Sequence, residues 1–240
     1  HYVRSGDFVK ALVDEATDVN EYAFAMGFLS HYNADKYGHS LATNIAAPKL
    51  YPKVKKEFGD IATYEEDPVA HGRTEFGFDV LQVARGNYES QAYRDFIGFQ
   101  ISKTILEKAF LKTYGLHIDE VFGSYSMAVG TFRWTVRSLI PMLTKAAWKG
   151  KKDEITKLNP GITSRQFKYR MNRKTYYQSF GREREKAGLG ASIVAFVVRV
   201  MPKIGPLKKL RFEIPNREIE KLFIQSFDTV TRHLVSDVQQ

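Results

Sequence analysis

Five side chains in two short stretches have the types and spacing to hold a metal. His31, Asp35 and His39 lie four and four residues apart, and His71 and Glu75 form a second pair at the same interval. Steps of four on a helix turn by about 40° each, so the first three side chains share one narrow stripe. Imidazole and carboxylate are donors that zinc accepts, and one helical turn matches the reach two of them need to share an ion. Three donors in succession imply more than one metal. Asp35, in the middle, could bridge two ions, because each of its oxygens can bind separately. Either pair alone is ordinary surface chemistry. His31, however, follows Phe24, Phe28 and Leu29 on a mostly apolar stretch, and two such pairs with a third histidine in register form a coordination pattern.

The elements that must carry these residues are helices. Asp18 reads as the N-cap of a helix from about Val19 to Ala42, with Tyr22, Met26, Leu29 and Tyr32 on one stripe. Residues Ala46 to Gly59 contain Pro48 and Pro52 and predict a loop with a short helix. Asp67-Pro68 is a start signal, an N-cap carboxylate before Pro at the first helical position, for a helix ending near Gly86-Asn87. Further helices are expected over Glu89–Tyr114, closing at Gly115, and over Ser124–Lys149 with a kink at Pro141. Asn159-Pro160-Gly161 predicts a turn, Ala191–Val200 a short apolar helix, and Asn216–Val235 a last amphipathic one. No period-two alternation is long enough for a sheet, so the fold class is all-α, a helical bundle. Folding the His71 helix against the His31 helix would close a shell of three imidazoles and two carboxylates, as helical bundles do in building polynuclear centres.

The stretch from His1 to about Arg85 resembles the zinc-dependent phospholipase C family, an all-helical, three-zinc group that includes secreted bacterial phospholipases C and single-strand nucleases. The motif His31-x-x-Ala-Asp35-x-x-x-His39-Ser is most similar to that of glycosylphosphatidylinositol-specific phospholipases D. The resemblance implies one zinc on His31 and Asp35, another on His39, His71 and Glu75, and a bridging role for Asp35 towards a third ion. His1 looks like the family's upstream histidine ligand, whose companion Asp would lie before residue 1; Asp7 and Asp14 are the substitutes in reach. Secreted bacterial members and the nucleases put five residues between the Asp and the next His, where this chain has three. The implied activity is phosphodiester hydrolysis by metal-activated water, with zinc (two or three ions) as cofactor and no side-chain nucleophile. Arg73, beside His71, is the candidate contact to substrate phosphate. The resemblance also implies a secreted or periplasmic location.

Composition sets the outer bounds. Cysteine is absent from the 240 residues, which excludes disulfides, thiolate metal sites and cysteine nucleophiles. The net charge is +9, which points to anionic partners: a phospholipid or other organophosphate substrate, an anionic membrane surface or nucleic acid. The charge is unevenly spread. Residues 1–100 hold 10 basic and 15 acidic groups, and residues 101–240 hold 26 and 12. The helical pattern weakens after Gly150, so the expected organisation is a metal-binding catalytic domain at 1–150, incomplete at its N-terminus, and a basic helical extension at 151–240 packed on it. Lys145–Arg184 interleaves basic groups with Phe167, Tyr169, Tyr176, Tyr177 and Phe180. Such a mixture suits a single-stranded nucleic acid or an anionic membrane, or else a solvated face with its aromatics in the core. The competing readings are a phospholipase-C-like hydrolase, a single-strand-type nuclease, and a non-catalytic membrane- or nucleic-acid-binding protein with a residual metal site.

Overall fold

The computed structural model describes residues 4–88, 102–122, 124–170, 174, 177–178 and 212–239. Among them there is no strand, and the protein is all-α. Two compact units emerge, His1–Leu81 with Leu210–Gln240, and Gln82–Lys209. The first unit is thus built from both ends of the chain, whereas the helical pattern of the sequence suggested a single boundary at residue 150.

In the first unit, α1 (Ser5–Glu15) is followed by α2 (Val19–Asn33). Asp18 caps α2 as expected, its carboxylate accepting from the amides of Asn20 and Glu21 at 2.8 and 2.9 Å. The helix expected to run on to Ala42 instead widens at Ala34 into a π-helical segment, π1 (Ala34–Thr43), and resumes as α3 (Asn44–Leu50). The Asn44 amide closes this segment on the His39 carbonyl, five residues back. Wide turns of this kind are rare and recur at functional sites. The loop expected over Ala46 to Gly59 is mostly helical, α3 and then α4 (Pro52–Phe58). Pro48 is tolerated inside α3 for a specific reason. It has no amide to give the Asn44 carbonyl, and the amide of Ala62 fills that place at 2.9 Å.

The second ligand-bearing helix, α5 (Pro68–Arg85), starts and stops where the sequence says it should. Asp67 accepts from the amides of Val69 and Ala70 at 3.1 and 2.8 Å, and Gly86 follows the helix with φ +81°. Ala70, His71, Thr74, Phe78 and Leu81 are buried, a stripe at helical spacing that turns the His71 side of α5 to the core.

A C-terminal helix braces these elements. It is the last of the described helices, labelled α11 (Arg217–Val238) and capped by Asn216. Ile219 packs with Ala46 and Phe78, and the Phe223 ring stacks on Phe78 at 5.1 Å. Lys49 pairs with Glu218 at 2.9 Å, the Tyr37 and His233 rings stack at 4.1 Å, and Asn33 Nδ2 donates to Asp237 at 2.9 Å. Position numbers rise on one side as they fall on the other, so α11 lies antiparallel along α2, π1 and α3. The residues leading into α11 press on α5. A Cβ at Gly77 would lie 2.5 Å from the Glu213 carbonyl oxygen, a distance only glycine permits.

The second unit holds α6 (Lys103–Tyr114), α7 (Ile118–Phe122), α8 (Tyr125–Trp134), π2 (Thr135–Leu139), α9 (Ile140–Leu158) and α10 (Ser164–Phe167). The helix end at Gly115 is as expected, with φ +70° and its amide on the Leu111 carbonyl. Pro141 lies in the first turn of α9, directly after π2, where a missing amide is tolerated, and the backbone departs from helical values only further on, at Lys151. Phe167 and Tyr169 of the basic segment are buried, with Phe167 against Trp148 at 5.4 Å. Those two aromatics belong to the core and not to a stacking platform. Arg173, Tyr176, Phe180 and the helix expected at Ala191–Val200 lie outside the described residues, as does the start of the helix expected from Glu89.

Gly77→Ala should therefore destabilise the fold by about 1–3 kcal/mol, the usual cost of overpacking. Gly72→Ala on the same helix meets nothing within 4 Å and should gain up to about 1 kcal/mol from propensity. Urea denaturation of both variants checks the contrast; equal stabilities would contradict the close approach of residue 213 to α5.

Candidate metal centre

The two helices carrying the spaced pairs meet, and the histidine of one faces the histidine of the other. The His39 and His71 rings are T-shaped with centroids 4.8 Å apart. Glu75 Oε1 lies between them, 2.9 Å from His39 Nε2 and 3.2 Å from His71 Nε2. Two imidazoles and a carboxylate converge here with their ligand atoms within 4.8 Å of one another. Zinc bonded at about 2.0–2.1 Å with tetrahedral angles would hold its ligand atoms roughly 3.3 Å apart. The three side chains fit that requirement with small adjustment. His71 is 2% exposed, while His39 and Glu75 are partly open, so the cluster is walled on one side and open on the other. The His71 Nδ1 is buried with no hydrogen-bond partner among the described residues.

Asp35 extends the array. Its Oδ2 lies 3.4 Å from His31 Nε2 and its Oδ1 3.7 Å from His39 Nε2, so each oxygen faces a different imidazole. His31 sits at the solvent end, 76% exposed in its side chain. Imidazole and carboxylate thus alternate from His31 through Asp35, His39 and Glu75 to His71.

Not every expected residue joins. His1 lies outside the described residues. Asp7 and Asp14 form exposed ion pairs on α1, with Arg4 at 2.9 Å and Lys10 at 3.0 Å. Arg73 is two residues from both His71 and Glu75, hence on another face of α5, and its guanidinium lies over the Tyr51 ring at 5.9 Å. The structure does not bring it to the cluster. One neighbour was invisible to sequence reasoning: Tyr64, whose ring meets His71 edge-on at 5.5 Å. It lies in the α4–α5 loop, where no periodicity marks it.

The electrostatics follow from the contacts. Burial works against the charge of Glu75, but hydrogen bonds from His39 and then His71 outweigh it and hold its pKa at about 2. The hydrogen bond to Glu75 raises the pKa of His39 despite partial burial. The hydrogen bond between His31 and Asp35 raises the former and lowers the latter in the same way.

Such a fold and donor set define an all-helical protein with a histidine–carboxylate cluster able to hold a metal ion. A family model described as zinc dependent phospholipase C matches residues 1–124, just over half the chain, and the protein belongs to that family. No curated protein and no solved structure matches it. Membership makes zinc the expected metal and a phospholipid the expected class of substrate. No helix among the described residues is long and apolar enough to cross a membrane.

The pKa directions give a pH prediction. In the metal-free protein the Glu75 contribution to stability is present above the ordinary value of 4.5 and lost as pH falls towards about 2. The His39 contribution is present below the ordinary value of 6.5 and lost as pH rises through its raised pKa. Zinc must displace the His39 proton, so its affinity should climb over that same rise. Calorimetry in buffers of different ionisation enthalpy should show proton release on zinc binding near neutral pH, and a pH-independent affinity would contradict the assignment.

Proposed function

We propose that this protein is a zinc-dependent phosphodiester hydrolase, acting on phospholipids or related organophosphates. In this reading His39, His71 and Glu75 hold one zinc, and His31 and Asp35 hold a second. Asp35 would offer one oxygen to each site, and His1, outside the described residues, would be the upstream histidine that helps complete the His31–Asp35 site. When bound, zinc supplies Lewis-acid activation of water and stabilises charge on phosphoryl oxygens.

The chain's own residues do the rest. His71, buried in the α5 face, fixes the position of the cluster. For His71 to ligate through Nε2, the proton it shares with Glu75 must leave or move to Nδ1, so metal loading and imidazole tautomer are coupled. Two carboxylates, Asp35 and Glu75, only half neutralise two divalent ions. The loaded centre therefore keeps a positive excess for the single negative charge of a phosphodiester. Arg73 has no part in this proposal, since its guanidinium is against Tyr51.

The observation that carries the reading is the convergence of His39, His71 and Glu75 from two separate helices. Phe167 and Tyr169, two of the basic-segment aromatics that a nuclease could have used to stack bases, are buried, which takes that support from the nuclease alternative.

The test pairs elemental analysis with a panel of phosphodiesters that includes lipid, small soluble and single-stranded nucleic-acid substrates. Wild type should contain zinc and cleave the lipid phosphodiester. His71→Ala and Glu75→Gln should each lose zinc, and with it activity by well over the roughly 10–100-fold that removing an outer-shell partner costs. Helical content should persist, because the packing of α11 on α3 and α5 does not use either side chain. Full zinc content and turnover in either variant would overturn the assignment.

A further inference from the structure

We infer that the outer side of α11 is a self-association surface, on which a second copy of this chain pairs antiparallel about a twofold axis at Thr231.

Two rows of side chains run along α11. One, through Ile219, Phe223, Ser226 and Asp237, faces the rest of its own unit. The other holds Ile224, Phe227, Val235 and Val238, which are 43%, 53%, 52% and 52% exposed. Exposed apolar residues scattered singly are ordinary. These four, with Thr231 between them, fall within roughly 80° of the helix circumference, because each residue turns by about 100°. A continuous apolar row on a helix already packed along another side marks an interaction surface. The Phe227 ring is seated against Phe223 at 6.5 Å, so the largest member of the row is held in place before anything docks.

The spacing selects the occupant. From Ile224 the steps to Phe227, Thr231, Val235 and Val238 are three, four, four and three residues, which read the same from either end. A second α11 turned end for end about Thr231 therefore sets Val238 against Ile224 and Val235 against Phe227, with no offset. A large ring meets a small branched side chain, and Thr231 meets its own copy at the axis. Such twofold, self-complementary pairing is the commonest way chains associate. The Thr231 hydroxyl already donates to the Phe227 carbonyl at 2.9 Å, so close approach buries no unpaired donor there.

Charge agrees with that register. Asp228 and Arg232 border the row on one side, and an antiparallel twofold brings that side of each helix together. Asp228 lies three residues before Thr231 and Arg232 one residue after it. Asp228 of one copy and Arg232 of the other are then offset by about 3 Å along the axis, within a guanidinium's reach, and the symmetry makes the pair twice. Within a single chain Arg232 only folds back on its own helix, to the Asp228 carbonyl at 3.3 Å and the Thr229 hydroxyl at 3.2 Å. One helical row is smaller than the roughly 800 Å² per partner of a standard interface, so the dimer forms at micromolar concentrations and is not permanent.

The experiment is sedimentation equilibrium of the full chain from one to several hundred micromolar. Wild type should pass from monomer to dimer over that range. F227D/V235D should weaken association by about tenfold or more, given the transfer free energy of two buried apolar side chains. D228R and R232D each place like charges across the pair and should weaken it; D228R/R232D together should restore it to within about threefold of wild type. All of these variants should keep wild-type helical content. Because the chain has no cysteine, Thr231→Cys puts a lone thiol at the axis. Mild oxidation should link T231C into a disulfide dimer, and should not link S236C, which is exposed on another side of α11. A chain that stays monomeric throughout overturns the proposal. So does a dimer indifferent to F227D/V235D, a charge reversal without rescue, or cross-linking of S236C as readily as T231C. If F227D/V235D instead lowers the helical content of the monomer, the row is covered within its own chain and the proposal falls.

Discussion

One carboxylate oxygen is the point on which the candidate metal centre converges. Glu75 Oε1 lies within 3.2 Å of an imidazole from its own helix and within 2.9 Å of one from π1. Moving a carboxylate out of water is costly, and the cost is met only when hydrogen bonds to charged or polar partners replace the lost solvation. Here two imidazoles do so well enough to keep Glu75 ionised down to about pH 2. The same arrangement would be an unstable concentration of donors without protons or metal between them, which is why it reads as a site and not as a surface cluster. Asp35 repeats the motif at the solvent end with weaker, longer contacts.

The helices are held in place by packing that lies remote from the ligands in sequence. The antiparallel α11 stacks on Tyr37 inside π1 and reaches Asn33 and Lys49 on either side of it. The preceding residues lie against α5 at Gly77. None of these bracing residues falls within the 1–124 stretch that the family model matches, apart from the partners they touch. The geometry of the centre thus depends on both the matched region and the far end of the chain. An exposed, charged imidazole–carboxylate pair contributes little by itself. Apolar contacts such as Phe78 with Phe223 supply the stability that lets the ligands remain poised.

Much of this was legible in the sequence because it is local. Asp18, Asp67-Pro68 and Gly115 mark helix ends through hydrogen bonds that span two to four residues, and all three act as expected. The His-x-x-x-Asp, Asp-x-x-x-His and His-x-x-x-Glu spacings name the donors, since a helix places them on one side whatever else the chain does. What escaped was non-local. Pro48 argues for a loop until the Ala62 amide, fourteen residues on, is seen to satisfy the carbonyl that proline leaves open. The widening of π1 has no pattern of its own, and Tyr64 finds His71 only through the fold of a loop. Arg73 is near the donors in sequence, but a two-residue step puts it on another face of α5, with its guanidinium over Tyr51.

In the proposed function a single zinc is shared by His39, His71 and Glu75. Anomalous diffraction at the zinc absorption edge, from crystals grown with the metal, tests it most directly. A peak is expected at bonding distance, about 2.0–2.1 Å, from an imidazole nitrogen of each histidine and from a Glu75 oxygen. A zinc-loaded crystal in which these three side chains keep their hydrogen bonds, with the anomalous signal elsewhere, would contradict it.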